Sequence, residues 1–304
     1  MTSLDFGPFG ITTGLTSSSD SLDAARAAED LGYPAIWLSG GPLPGLQTVA
    51  DLIRVTSTIK FVTGILSVDK YSAAEVTSTY AELEAAAPGR FTVGLGGASG
   101  PHPLARLNEY LDQLDAVPAT DGVPVASDPQ GGAPADSATQ GSTGAPGGVP
   151  AEHRLLAALG PRMLKLAGER TAGAYPFLIT PEYTAEARKT LGPDKLLTVA
   201  HLAVVETDPE RAREIARETI SFFPQIPGYA ASLKRQGFTD ADLVNLPDHM
   251  VDSLAAWGSP SQIADKLHEH HTAGADHVAV NVITGITGPQ PIDQWRALAP
   301  ALLS

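Results

Sequence analysis

Short runs of β-branched and aromatic residues alternate along this chain with longer stretches in which apolar residues recur every three or four positions. The short runs lie at Phe9 to Thr13, Ala35 to Ser39, Lys60 to Leu66, Phe91 to Leu95, His153 to Ala158, Tyr175 to Ile179, His201 to Val205 and His277 to Thr284. Alternation of this kind predicts strand–helix units around a parallel sheet. Eight candidate strands are what a closed (β/α)8 TIM barrel, an α/β fold, requires. The intervening stretches carry helix signals. Asp20 to Leu31 opens behind serines and stops at Gly32; Ala73 to Ala86 follows Ser72. Pro103 to Val117 places Leu104, Leu107, Leu111 and Leu114 on one face, Asp208, Pro209 and Glu210 open a helix with an acidic first turn, and Pro260 to Ala273 forms the last predicted helix. Phe222 to Trp257 holds helical pieces without a clear strand. It reads as a helical insertion, residues 221–257, near the seventh strand of one domain spanning 1–304.

One segment breaks the pattern. Thr120 to Pro150 is dominated by Gly, Pro, Ala, Ser and Thr and has too little apolar area to offset ordering, so a mobile loop is expected before the fifth strand. It joins a helix to a strand, and in a barrel such connections lie on the face opposite the active site. A partner-binding segment is the functional alternative.

Composition narrows the chemistry. The formal charge of −14 disfavours nucleic acid and anionic membranes as partners. The chain has no cysteine, which removes disulfides, thiolate metal sites and cysteine nucleophiles together. No apolar run is long enough to span a bilayer, and the first residues, MTSLDFGPFG, lack a signal-peptide pattern, so the expected address is cytoplasmic.

Two glycine-bearing turns carry candidate chemistry. In FTVGLGGASG, Phe91 to Gly100, only Gly94 and Gly96 meet the G-x-G-x-x-G dinucleotide fingerprint, Ser99 replaces its third glycine, and the cluster ends the fourth strand instead of the first. At the catalytic face of a barrel the same glycines let a planar ring or a phosphate approach the backbone; a tight turn is the bland alternative. The second turn, Leu159, Gly160, Pro161, Arg162 and Met163, opens a helix with proline in its first turn, and its free N–H groups beside Arg162 suit a phosphate or carboxylate. His268, Glu269, His270 and His271 do not have the H-E-x-x-H spacing of a zinc helix and read as a solvated helix end, so no metal site is expected. Trp37 and Trp257 read as core anchors whose indole N–H groups need partners.

In order along the chain, AEDLGYPAIWLSG, IKFVTGILSV, PGRFTVGLGGAS, LLAALGPRMLKLAGERTAG and WGSPSQIADKLHEHHTAGADHVAVNV resemble the luciferase-like monooxygenase superfamily, and within it the F420-dependent oxidoreductases of actinobacterial type. The resemblance implies a flavin or deazaflavin across the carboxyl ends of the strands and a non-proline cis peptide in the third strand, matching Gly64 to Ile65. It implies that Ser39, Gly64, Ile65, Gly96, Gly97 and Ala98 line the cofactor ring and that Leu159 to Met163 hold its phosphate. The pattern also departs from the sugar-phosphate dehydrogenases of that group, since Gly40, Gly41 and Ser99 stand where those enzymes carry acid–base residues.

Catalytic candidates on the same face are His102 and Tyr71, with Lys70 and Tyr175 as substrate-side candidates. The expected activity is hydride transfer between F420 and a small organic substrate. An FMN-dependent monooxygenase using oxygen and a non-catalytic flavin-binding barrel are the alternatives. A homodimer is a further expectation that the resemblance carries.

Overall fold

A computed structural model of the chain describes residues 4–39, 41, 43–98, 100–116, 148–285 and 288–304. The strands are β1 (Phe9–Thr13), β2 (Ala35–Ser39), β3 (Lys60–Gly64), β4 (Leu66–Ser67), β5 (Phe91–Gly96), β6 (Arg154–Leu156), β7 (Gly173–Ala174), β8 (Leu196–Val204), β9 (Ala255–Trp257) and β10 (His277–Val282). Every pairing is parallel, and the order β1-β2-β3-β5-β6-β7-β8-β10 returns to β1, closing a barrel of eight strands with helices between them. β4 continues β3 beyond Ile65 and pairs with β5.

Side-chain alternation divides the barrel into two cores. On β8, Val199 and Ala203 pack outward against the helices, whereas Ala200 points to the barrel axis. The axis is filled by Phe6, Ala35, Trp37, Val62, Leu155, Tyr175, Ala200 and Ala279. Trp37 stacks on Tyr175 with ring centroids 4.2 Å apart and planes at 15°, and Phe6 meets its edge at 5.4 Å. The indole N–H donates to His277 Nε2 at 2.9 Å, and His277 Nδ1–H donates to the Gly7 carbonyl at 2.8 Å. The partner that Trp37 needs is therefore another barrel residue, and the pair fixes the histidine tautomer.

Helix starts follow local chemistry. Ser18, Ser72, Thr180, Asp208, Thr239 and Ser259 each accept a backbone N–H from the first turn of the following helix.

Several expectations are corrected. The fifth run forms a strand only over Arg154–Leu156, because Ala151–His153 close into a 3-10 turn. The sixth begins earlier, at Gly173, and after Ala174 keeps only a bridge between Phe177 and Ala200. The seventh starts five residues earlier, at Leu196. The insertion contains the helices Pro227–Arg235, Asp240–Asn245 and Asp248–Leu254, but it ends in a strand, β9, paired with Leu202–Val204. His270 is not at a solvated helix end. In the helix Pro260–Thr272, Ile263, Leu267 and His270 share one face by helical period, which buries His270 completely. Its Nε2 lies 3.0 Å from His201 Nδ1 and its Nδ1 lies 2.8 Å from Thr184 Oγ1. Most of the loop expected over 120–150 lies outside the described residues.

Candidate active site

At the carboxyl ends of the strands, alternation brings Thr12, Ser39, Gly64, Gly96, Ala157, Phe177 and Asn281 to the barrel mouth. Asn281 faces inward because Val280 and Val282, its neighbours on β10, pack against the helices. Four adjacent positions, Ser39, Gly64, Gly96 and Ala157, carry nothing larger than a hydroxymethyl group. They make one half of the mouth a flat shelf. Its floor is dense: a Cβ on Gly64 would stand 3.1 Å from the Tyr175 ring, and one on Gly96 would stand 2.9 Å from Ala157 Cβ and 3.3 Å from Ile65. The Gly64–Ile65 peptide is cis. Gly97 has φ +69°, and its carbonyl accepts the Ser67 hydroxyl at 3.3 Å, which brings the glycine tip against the strand that continues from Ile65. Ala98 follows, half-buried. Ser99 and Gly40 lie outside the described residues.

Next to the shelf, β6 runs into the helix Pro161–Arg170 with Gly160 as its N-cap and no side chain capping it. The Leu159 carbonyl accepts Arg235 Nη2 at 2.7 Å and the Tyr183 hydroxyl at 3.0 Å, which pins the turn. Arg235 Nη2 comes within 3.0 Å of where a Cβ on Gly160 would be, and Arg162 is exposed in the first turn. A helix N-terminus carries positive partial charge, so guanidinium groups there oppose the dipole unless an anion joins them. The donor set therefore fits a phosphate. Arg235 was not visible as a site residue in sequence, because it comes from the insertion, 75 positions after Gly160, in no motif. Asn281 was missed likewise; its only signal is its parity within the apolar run from Val278 to Val282.

The remaining candidates divide. Lys70 Nζ and the Tyr71 hydroxyl both donate to the Leu43 carbonyl at 3.3 Å, tying together the loops after β2 and after the third strand. Tyr71 is buried, whereas Lys70 is exposed with its ammonium 5.1 Å from the Tyr71 ring centre. Tyr175 lies inside the barrel, below the mouth. Its hydroxyl is 3.3 Å from Thr12 Oγ1, and burial pushes its pKa up. His102 is exposed at the start of the helix Pro103–Ala116 with φ +59°. A cleft lined by Val68, Ser72, Arg106, Glu109, Tyr110 and Gln113 lies beside the helix Pro103–Ala116, and the Val68 N–H donates to the Gly96 carbonyl at 3.0 Å.

The sequence model of the luciferase-like monooxygenase family matches residues 6–277. The chain belongs to the luciferase-like monooxygenase family. It is an enzyme of the family's oxidoreductase class. An uncharacterized protein, YwcH of Bacillus subtilis, is 33% identical over 98 residues, which span 30% of this chain and 29% of that relative. The coenzyme F420 dependent tetrahydromethanopterin reductase from Methanopyrus kandleri has a similar fold, with a TM-score of 0.71 at 17% identity over 98% of this chain and 99% of that one. The oxygenating constituent of 3,6-diketocamphane monooxygenase from Pseudomonas putida, solved with FMN, gives 0.62 at 14% identity over 96% of each chain. Among the described residues no helix is long and apolar enough to cross a membrane.

Proposed function

We propose that this family member is an F420-dependent oxidoreductase acting on a small organic substrate. The observation that carries the reading is the juxtaposition of a side-chain-poor shelf, Ser39, Gly64, Gly96 and Ala157, with an uncapped helix N-terminus flanked by Arg162 and Arg235. Bound F420 supplies a two-electron hydride donor or acceptor. The protein's part is positioning. Ser39, Gly64, Ile65, Gly96, Gly97 and Ala98 bound the ring's place, while Leu159 to Met163 and Arg235 hold its phosphate. Asn281 and Thr12 offer uncharged hydrogen-bonding groups at the mouth, and Lys70 and Tyr71 keep two rim loops together. His102, on the rim loop after β5, is the proposed proton donor.

FMN is the second reading. The same shelf and phosphate turn fit it, and an FMN-bound protein shares this fold. Titrating the purified protein separately with F420 and FMN and following cofactor fluorescence discriminates the two. Tighter F420 binding is expected, and tight FMN binding with none for F420 overturns the first choice.

Arg235→Ala tests the phosphate turn. A charge-assisted hydrogen bond contributes about 1.5–3 kcal/mol, so cofactor affinity should fall roughly ten- to hundredfold. Because Arg235 is exposed, the thermal midpoint should move little. Unchanged cofactor affinity would remove Arg235 from the site.

A further inference from the structure

The insertion carries aromatic rings to the barrel mouth. Phe177 follows Tyr175 by two positions, so it faces the same way one step nearer the opening, and it packs on both the axial core and the insertion. Phe223 and Tyr229 meet it edge-on, at 5.2 Å and 83° and at 6.2 Å and 85°, and lie 4.8 Å from each other. All three are only partly buried, and Phe222, which packs on Phe223 at 5.5 Å, is 61% exposed. A cluster of half-buried rings beside an opening presents apolar surface that water leaves readily.

The far end of the helix Pro227–Arg235 is anchored. Arg235 donates to the Leu159 carbonyl; Gln236 Nε2 donates to the Leu178 carbonyl at 3.1 Å and Gln236 Oε1 accepts the Thr180 N–H at 2.9 Å. Tyr229, on the same helix, is therefore held in place before any ligand arrives, which lowers the cost of binding against it.

Charge is distributed unevenly around the mouth. The arginines stand at the phosphate turn, and Lys70 is engaged with Leu43 at the rim. Next to Tyr175, Thr12 and Asn281 face inward, and both are uncharged. Among the described residues no Lys or Arg stands over these rings, so a carboxylate or phosphate on this side would be desolvated without a cation to receive it.

We propose that Phe177, Phe223 and Tyr229 form the substrate wall of the mouth and select an uncharged, largely apolar small molecule. This rests on the cofactor reading given above, which assigns the opposite half of the mouth to the ring.

Acetophenone and benzoate, similar in size and differing in charge, test it by calorimetric titration of the protein loaded with whichever of F420 and FMN binds. Acetophenone should bind at least about tenfold more tightly than benzoate. Phe223→Ala and Tyr229→Leu should each weaken acetophenone by about tenfold while cofactor binding, read by fluorescence, stays unchanged; Phe223→Leu serves if the alanine variant fails to fold. Benzoate binding equal to or tighter than acetophenone, acetophenone affinity unmoved by these variants, or no acetophenone binding at millimolar concentration each overturns the proposal. If neither cofactor binds, the cofactor reading fails, and the same titrations on the unloaded protein still decide the wall.

Discussion

Acidification from pH 6.5 to 4.5 should remove roughly 5 kcal/mol of stability, a large part of what a domain usually has. The cause is a set of buried histidines. Burial lowers the pKa of His270 to about 3 and of His277 to about 4, and it holds His201 well below the ordinary value. Each is neutral in the fold, whereas the unfolded chain binds a proton near pH 6.5. A base whose folded pKa is depressed contributes its full stability above the unfolded pKa and loses it as pH falls toward the folded one. The slope approaches about 1.4 kcal/mol per pH unit for each such histidine. Carboxylates add to the loss lower down: Asp252, held below its usual range by the Arg213 hydrogen bond, stabilises until it takes up a proton. The two windows separate the two causes. Urea titrations at pH 7.5, 6.5, 5.5 and 4.5 measure the effect, which should begin above the carboxylate range. His277→Gln can still accept the Trp37 indole N–H and donate to Gly7, but it does not titrate, so it should recover about a third of the loss. A wild-type slope retained in that variant would show that His277 does not take up the proton.

These histidines also show where sequence reading stops. The barrel was legible because β-branched runs and helical periods alternate, and β1, β2 and the helix Ala73–Ala86 have the ends that the pattern predicts. Edges were less legible, since the chain from Tyr175 to Ile179 has strand-like composition but keeps little ladder pairing. HEHH looked polar and terminal, yet helical period buries its third residue against His201, which only the packing of helix on strand reveals. The glycine tip at Gly96 and Gly97 is legible from glycines and strand order, Gly64 and Ser39 enter only through the family resemblance, and Ala157 at the shelf's edge shows only once its parity on the strand that continues from β6 is known. Arg235, Phe223 and Tyr229 could not be located, because they reach the mouth only through the path of the insertion, and that path depends on contacts such as Gln236 with Leu178 and Thr180.

Adding one methyl group at Gly94 should abolish the fold, whereas adding one at Gly96 should leave the fold and weaken cofactor binding. Both glycines belong to the half-matched dinucleotide fingerprint, but neither is there to make a phosphate turn. At Gly94 a Cβ would stand 1.9 Å from the Thr63 carbonyl oxygen, an atom fixed in the backbone of the adjacent strand. β3 and β5 pair by backbone only at Phe61 with Phe91 and Val62 with Thr92; one residue further on, the Thr63 hydroxyl accepts the Gly94 N–H at 2.8 Å and lies 3.0 Å from the Gly94 carbonyl. The strands close on each other there through a threonine, which leaves no room for a methyl group. Gly94→Ala must move backbone and should cost more than about 4 kcal/mol, giving unfolded or insoluble protein. At Gly96 the nearest obstacles are Ala157 Cβ at 2.9 Å, which moves only with its own backbone by a few tenths of an ångström, and Ile65 Cγ1 at 3.3 Å, whose side chain can turn; the adjustment should cost about 1–3 kcal/mol. Gly96→Ala should therefore fold with a lower thermal midpoint, and its methyl group, on the shelf itself, should weaken F420 or FMN binding by tenfold or more. Circular dichroism melting and cofactor fluorescence on the two variants check this. A folded Gly94→Ala protein would contradict the strand contact, and a Gly96→Ala protein with unchanged cofactor affinity would move the ring off the shelf.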